Sequence, residues 1–132
     1  MITTNQIIAA IQARLVADAA IIALVPAAKI GNYLVQDVGY PHIKYMLQFE
    51  TLPVKGEDAQ SVNLQFDIWT EYSGSKKCMD IADAIRAELD QAPITIASGD
   101  CFGLFYRTMD NFQEPEGKLY RCTMLFQLLI GD

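Results

Sequence analysis

The sequence predicts an α+β domain, a single unit over residues 1–132 in which an antiparallel sheet carries two main helices on one face. Three observations lead there. From Ser61 to Tyr72, Val62, Leu64, Phe66 and Ile68 alternate with Asn63, Gln65 and Asp67, the period-two pattern of a strand with one buried face. Beyond Ser73-Gly74-Ser75, Cys78, Ala82, Ile85 and Leu89 recur at spacings of four, three and four, with Ile81 beside them, so one helical stripe is apolar. The whole chain orders its elements as helix, strands, helix, strands, which is the succession of an α+β fold.

Each element has its own signal. Thr3-x-x-Gln6 reads as a capping box, and Ile7, Ile8, Ile11 and Leu15 form the stripe of a first helix over Thr4 to Val16. Asp18 is placed to cap a short second helical turn, Ala19 to Leu24, which must stop near Val25 because a residue before proline avoids the helical region. Lys29 to Val35 is expected to be extended, with Ile30, Tyr33 and Val35 as its apolar members, followed by a turn at Asp37-Val38-Gly39. After Pro41, Ile43, Tyr45, Leu47 and Phe49 alternate with Lys44, Met46, Gln48 and Glu50 to give a second clear strand. Thr51 to Gln60 is a polar loop too long for a tight hairpin. Following the long helix and Pro93, Ile94-Thr95-Ile96 offers a short strand and Cys101 to Met109 another, ending at the Pro115-Glu116-Gly117 turn. In the last segment Tyr120, Cys122, Met124, Phe126, Leu128 and Ile130 make one face. Leu119, Arg121, Thr123, Leu125, Gln127 and Leu129 make the other, and both faces turn apolar toward the end.

Composition bounds the function. With 132 residues the chain can bury one core without staples. Sixteen acidic residues against ten basic ones give a net charge of −6, and only Lys76-Lys77 pair up, so no basic stripe is available to neutralise phosphates. The hydrophobic fraction of 52% and the mean hydropathy of +0.16 are high for a domain of this size, and the surplus apolar surface is expected to meet another subunit. Cys78, Cys101 and Cys122 are odd in number and widely spaced beside a single His42, which fits neither a structural zinc pattern nor a disulfide framework. Buried, reduced thiols in a protein made in a cytosol are expected. The start of the chain lacks the regions of a signal peptide, and its longest apolar tract, Ala19 to Val25, is too short to span a bilayer, so no membrane partner is expected.

Residues with catalytic potential are present without a catalytic context. His42 with Ser61 or Ser73 and an aspartate has the inventory of a triad but no nucleophile elbow, and a structural or surface role is the expectation. Asp67 and Glu71 share a strand face with Trp69, and Asp80 and Asp83 lie one helical turn apart, so a solvated or subunit-facing acidic surface is expected in place of a metal site. The glycines are isolated, and none forms a phosphate-cradling loop. Trp69 stands opposite Leu64, Phe66 and Ile68 among polar neighbours. Either it anchors an interface, or a long side chain or the Thr51 to Gln60 loop folds over it.

Four stretches in order and spacing bear a resemblance to a known family. They are Asp18-Ala19-Ala20-Ile21-Ile22-Ala23-Leu24-Val25, Tyr40-Pro41-His42-Ile43, Phe66-Asp67-Ile68-Trp69-Thr70-Glu71-Tyr72-Ser73-Gly74, and Asp80-Ile81-Ala82-Asp83-Ala84-Ile85-Arg86 followed by Leu89. Together they make the chain similar to the tail-terminator (tail-completion, tail-to-head joining) proteins of long-tailed bacteriophages. The resemblance implies a virion protein with no catalytic site and no cofactor. Such proteins form a homo-oligomeric ring, usually hexameric, at the head-proximal end of the tail, assembled in the host cytoplasm. The implied partners are the tail tube protein and a head-completion or connector protein, with DNA passing through the lumen without specific binding. Candidate contact residues are Lys55, Gly56, Glu57 and Asp58 in the long loop and Trp69 and Glu71 on the outer strand face. Two alternatives stand beside this: another head-tail connector or tail tube subunit, and a small ligand-binding or enzymatic α+β domain. The last requires a concave site lined by convergent polar groups, which the pattern does not offer.

Overall fold

A computed structural model describes residues 4–32, 39–51, 59–71, 76–91, 100–113 and 119–131. Helix α1 (Thr4–Ala17) is followed by α2 (Ala19–Leu24), a 3-10 turn (Ala27–Lys29) and strand β1 (Ile30–Gly31). Then come β2 (His42–Thr51), β3 (Ala59–Glu71), α3 (Lys76–Leu89), β4 (Asp100–Gln113) and β5 (Leu119–Gly131). The strands form one sheet in the order β1-β2-β3-β5-β4. Strand β3 is central, antiparallel to β2 on one side and to β5 on the other.

The predicted α+β architecture holds, but Thr51, Ala59 and Gln60 belong to β2 and β3 and not to the loop, β4 runs on past Met109 to Gln113, and β1 differs in two respects. Lys29 closes the 3-10 turn, so the strand begins at Ile30 and not at Lys29. It also runs parallel to β2, with Ile30 opposite Ile43, which makes the sheet mixed at that edge. Antiparallel pairing covers the rest. Expectations for Thr3, Tyr33 to Val38, Ser73 to Ser75, Ile94 to Ile96 and Pro115 to Gly117 lie outside the described residues.

The core lies between the helices and one face of the sheet. Ile7, Ile11 and Leu15 of α1, Ile21 of α2, and Cys78, Ile81, Ala82, Ile85 and Leu89 of α3 are buried against Ile43, Tyr45, Val62, Leu64, Phe66, Ile68, Cys122, Met124, Phe126 and Leu128. An aromatic row crosses this face from strand to strand. Tyr45 and Phe66 are register partners 5.7 Å apart between ring centroids, Phe66 meets Phe126 edge-on at 5.6 Å, and Phe126 meets Tyr106 at 5.7 Å. These tilted and edge-to-face contacts suit the quadrupoles of the rings. Helix α3 closes the far end of the row by laying the Arg86 guanidinium 4.1 Å from the Tyr106 ring centroid.

Polar side chains fix how the helices seat. The Asp18 carboxylate accepts from the amides of Ala20 at 2.8 Å and Ile21 at 3.4 Å, satisfying the free donors at the start of α2. Gln12 of α1 bridges the edge strands, accepting from the Tyr45 hydroxyl at 2.6 Å and donating to the Ile30 carbonyl at 2.9 Å. Arg14 of α1 pairs with Glu88 of α3 at 2.9 Å. The end of α3 is pinned to β4 by the Gln91 amide on the Leu104 carbonyl, 2.7 Å, and by the Tyr106 amide on the Asp90 carboxylate, 3.0 Å.

Two expected results arise here. Burial pushes the Tyr45 hydroxyl from 10.0 to about 12. Below pH 10 both folded and unfolded chains hold that proton. Between pH 10 and 12 only the unfolded chain releases it, so stability falls with a slope of up to about 1.4 kcal/mol per pH unit. Denaturation midpoints measured against pH should show this slope in the native chain and lack it in Tyr45→Phe. At the turn into β2, Gly39 has φ +86, and a Cβ there would come within 3.5 Å of the Lys29 ammonium. Gly39→Ala should therefore destabilise by about 1 kcal/mol in thermal denaturation, mainly from forcing an L-residue into the left-handed region.

Candidate interaction surface

Period two sends every other side chain of β2, β3 and β5 away from the helices, and no described element packs on that side. His42, Lys44, Met46 and Gln48 of β2 occupy it, with Asn63, Gln65, Asp67, Trp69 and Glu71 of β3 and Arg121, Thr123, Leu125, Gln127 and Leu129 of β5. Phe105 joins them from β4, opposite Gln127. Met46 is 41% exposed and Phe105 39%, large apolar side chains left on an open sheet face.

Register builds a second aromatic row on this outer side. His42, Trp69 and Arg121 are aligned across β2, β3 and β5. Tyr40 stacks on His42 with centroids 5.2 Å apart, His42 stacks on Trp69 at 6.4 Å, and the Arg121 guanidinium lies 5.3 Å from the Trp69 ring centroid. The His42 ring is oriented by its Nδ1, which donates to the Gly39 carbonyl at 2.9 Å. Trp69 is half-buried in consequence, with the long Arg121 side chain lying beside its ring, and Glu71 is exposed two residues on.

Below this row the surface is hydrogen-bonded. The Asp67 carboxylate accepts from Thr123 Oγ1 at 2.9 Å and from Gln65 Nε2 at 3.3 Å. Arg107 donates to Gln127 at 2.8 Å, and Gln127 donates to the buried Ser61 hydroxyl at 2.9 Å, linking β4, β5 and β3. Ser61 thus sits at the Glu50 end of the β2–β3 pair, whereas His42 sits at the Trp69 end, so the strands hold this serine and the histidine apart. Ser73 lies outside the described residues. Asp80 is paired with Lys76 at 2.7 Å and Asp83 is exposed on the same helix. Among the described residues no group of three or more His, Cys, Asp or Glu side chains is placed to hold a metal, and no helix is long and apolar enough to cross a membrane.

Of the predicted contact residues, Trp69 and Glu71 fall on the outer face of β3, while Lys55, Gly56, Glu57 and Asp58 lie outside the described residues. Tyr40, His42 and Arg121 belong beside Trp69 and were not predicted there. The signal was the strand register, which pairing fixes and local sequence does not.

A sheet closed by helices on one face and left open on the other, with aromatic and apolar side chains on the open side, has the anatomy of a protein that packs against other proteins. The comparisons agree with that class. The family model described as Tail completion protein gp17 matches residues 9–131, and the chain belongs to that family, which is one of structural phage tail proteins. A chain of the solved structure "Virion of native gene transfer agent (GTA) particle" has the same fold, with a TM-score of 0.84 over 94% of this chain and 93% of that one at 18% identity. Comparison with curated proteins gave no match.

Proposed function

We propose that this tail completion protein closes into a ring, hexameric as the resemblance implies, that caps the head-proximal end of the tail tube. The ring ends tube polymerisation and presents the surface that a head-completion or connector protein joins. It does so by packing and without catalysis or a cofactor. The observation that supports this most is the open sheet face, where Trp69, Met46 and Phe105 remain available on a domain whose core is already complete on the other side. A closed ring needs two different, mutually complementary patches on each copy, and this face supplies one. Lys55, Gly56, Glu57 and Asp58, in the loop between β2 and β3, extend the contact surface. The net charge of −6 suits a lumen through which a polyanion passes without adhering.

Electron microscopy of particles assembled without this protein tests the role. Overlong, headless tails are the expected result. Filled heads that leak DNA would instead place the protein in a connector ring, and particles of normal form would overturn the proposal.

A further inference from the structure

The sheet is unfinished at both of its margins. In an antiparallel sheet the N–H and C=O of one residue point to the same side of the strand, and the side alternates from residue to residue. Contacts from the end of α3 mark the outward residues of β4: the Leu104 carbonyl accepts from the Gln91 amide, and the Tyr106 amide donates to the Asp90 carboxylate. Register carries that phase across β5 and β3 to β2, from Leu104 to Phe49 and from Tyr106 to Leu47. The other margin agrees, since two residues from Leu47 the Tyr45 carbonyl accepts from Asn32 Nδ2 at 2.9 Å. Pairing with β1 stops at Gly31 opposite Lys44. Leu47 and Phe49 therefore turn their main-chain groups outward, with no partner among the described residues. On β4 the irregularity between Tyr106 and Thr108 shifts the phase by one. Met109 and Asn111, opposite Met124 and Cys122, are then the outward residues beyond Asp90, and they too lack an outer main-chain partner among the described residues. Residues 47–51 and 108–113 contain no proline or lysine, the residues that commonly block an exposed edge.

We propose that the β4 edge of one copy pairs antiparallel with the β2 edge of the next, Asn111 opposite Leu47 and Met109 opposite Phe49, so that the sheet runs on from copy to copy. This rests on the ring reading above and names the line along which copies meet. Direction fits: β2 and β4 run opposite ways within the sheet, so a neighbour's β2 laid beside β4 is antiparallel to it. Each of the two pairs exchanges N–H···O bonds in both directions, and the position between them sets Gln48 beside Asp110, both exposed. Sliding the neighbour toward Gln113 sets Glu50 opposite Asp110 and opposes like charges. Sliding it the other way calls on Tyr45, whose carbonyl Asn32 already holds. The stagger also suits closure. Within one copy Leu47 is level with Tyr106, through Leu64 and Phe126. The new pairing sets it level with Asn111, which lies four positions along β5, from Phe126 to Cys122. At about 3.3 Å per residue this is a slip of about 13 Å, while β2, β3, β5 and β4 at about 4.8 Å spacing span about 19 Å, which gives a strand tilt of about 35°. Sheets closed on themselves have tilts of this size. The large apolar side chains left exposed on the open face, Met46 and Phe105, lie on β2 and β4, the two strands that this contact brings together.

The test is a register-specific crosslink in the full chain. Gln48→Cys and Asp110→Cys are combined with Cys101→Ser, purified tail tubes are added, and copper phenanthroline is applied as the oxidant. Within one chain the two positions stand on strands about 14 Å or more apart, too far for a disulfide, so a 48–110 bond joins two copies. A series of linked species on a non-reducing gel, with the 48–110 link in the peptide map, is the expected result. Either new cysteine alone, or Lys44→Cys with Asp110→Cys, four residues out of register, should give no such series. A second variant tests the main chain. Asn111→Pro removes an amide that β5 does not use, so Tm should change by less than about 3 °C, while assembly should weaken about tenfold or more. Rings on the tube ends without the 48–110 link, or undiminished with Asn111→Pro, would overturn the pairing and leave the ring reading standing. A native chain that forms no ring on the tubes would overturn the ring reading, and the pairing with it.

Discussion

Replacing Phe66 with alanine is expected to lower the stability of the folded chain by about 3–5 kcal/mol. Phe66 has no exposed surface and stands in the central strand, in the middle of the row that runs from Tyr45 through Phe126 to Tyr106. Its removal takes away the transfer free energy of the ring and both neighbouring aromatic contacts, each worth about 0.5–1.5 kcal/mol beyond area. The cavity it leaves is walled by strands on either side, which are held by ladder hydrogen bonds and collapse poorly. Chemical denaturation monitored by circular dichroism reads the loss. Met46→Ala, one residue from Tyr45 but on the open face and 41% exposed, should change stability by less than about 0.5 kcal/mol. A loss below about 1 kcal/mol for Phe66→Ala would show that the row is not the structural axis of the core.

Trp69→Ala should act on assembly far more than on folding. Its ring is half-buried on the open face, held between His42 and Arg121. Removal forfeits one cross-strand pair and one cation–π contact within the monomer, together about 1 kcal/mol. As an interface anchor it would contribute about 2 kcal/mol or more to association, roughly a 30-fold weakening. Sedimentation across a concentration series, with Tm measured on the same samples, separates the two effects. Trp69→Phe, which keeps an aromatic face beside Arg121, should recover most of the association. A large fall in monomer stability with association unchanged would make Trp69 an internal support of the sheet.

Much of this fold was legible because its strongest elements have one periodicity and clean ends. The apolar stripe from Cys78 to Leu89 matches the residues of α3 that are buried, and the alternation from Val62 to Ile68 matches the inward side chains of β3. Asp18 caps α2 as its side-chain chemistry predicts. What escaped was set by pairing. Two residues of β1 are too few to carry a pattern, and nothing local signals a parallel partner. In β4 the alternation breaks because an irregularity between Tyr106 and Thr108 restores the phase, so that Tyr106 and Met109 both face the core. The same applies to the open face. Trp69 was assigned to it by period two alone, yet its placement between His42 and Arg121 depends on register across three strands. The approach of the Cys78 sulfur to the Ile68 carbonyl depends on how α3 crosses the sheet.

The central claim is that the open face of this sheet exists to bind protein, and that copies close through it into a ring at the end of a tube. Its most direct measurement is electron microscopy of purified tail tubes incubated with the purified chain, viewed along and across the tube axis. A closed ring of subunits at one tube end with the native chain, reduced or lost with Trp69→Ala, is the predicted result. Bare tube ends, with a chain that stays monomeric at high concentration, would contradict it.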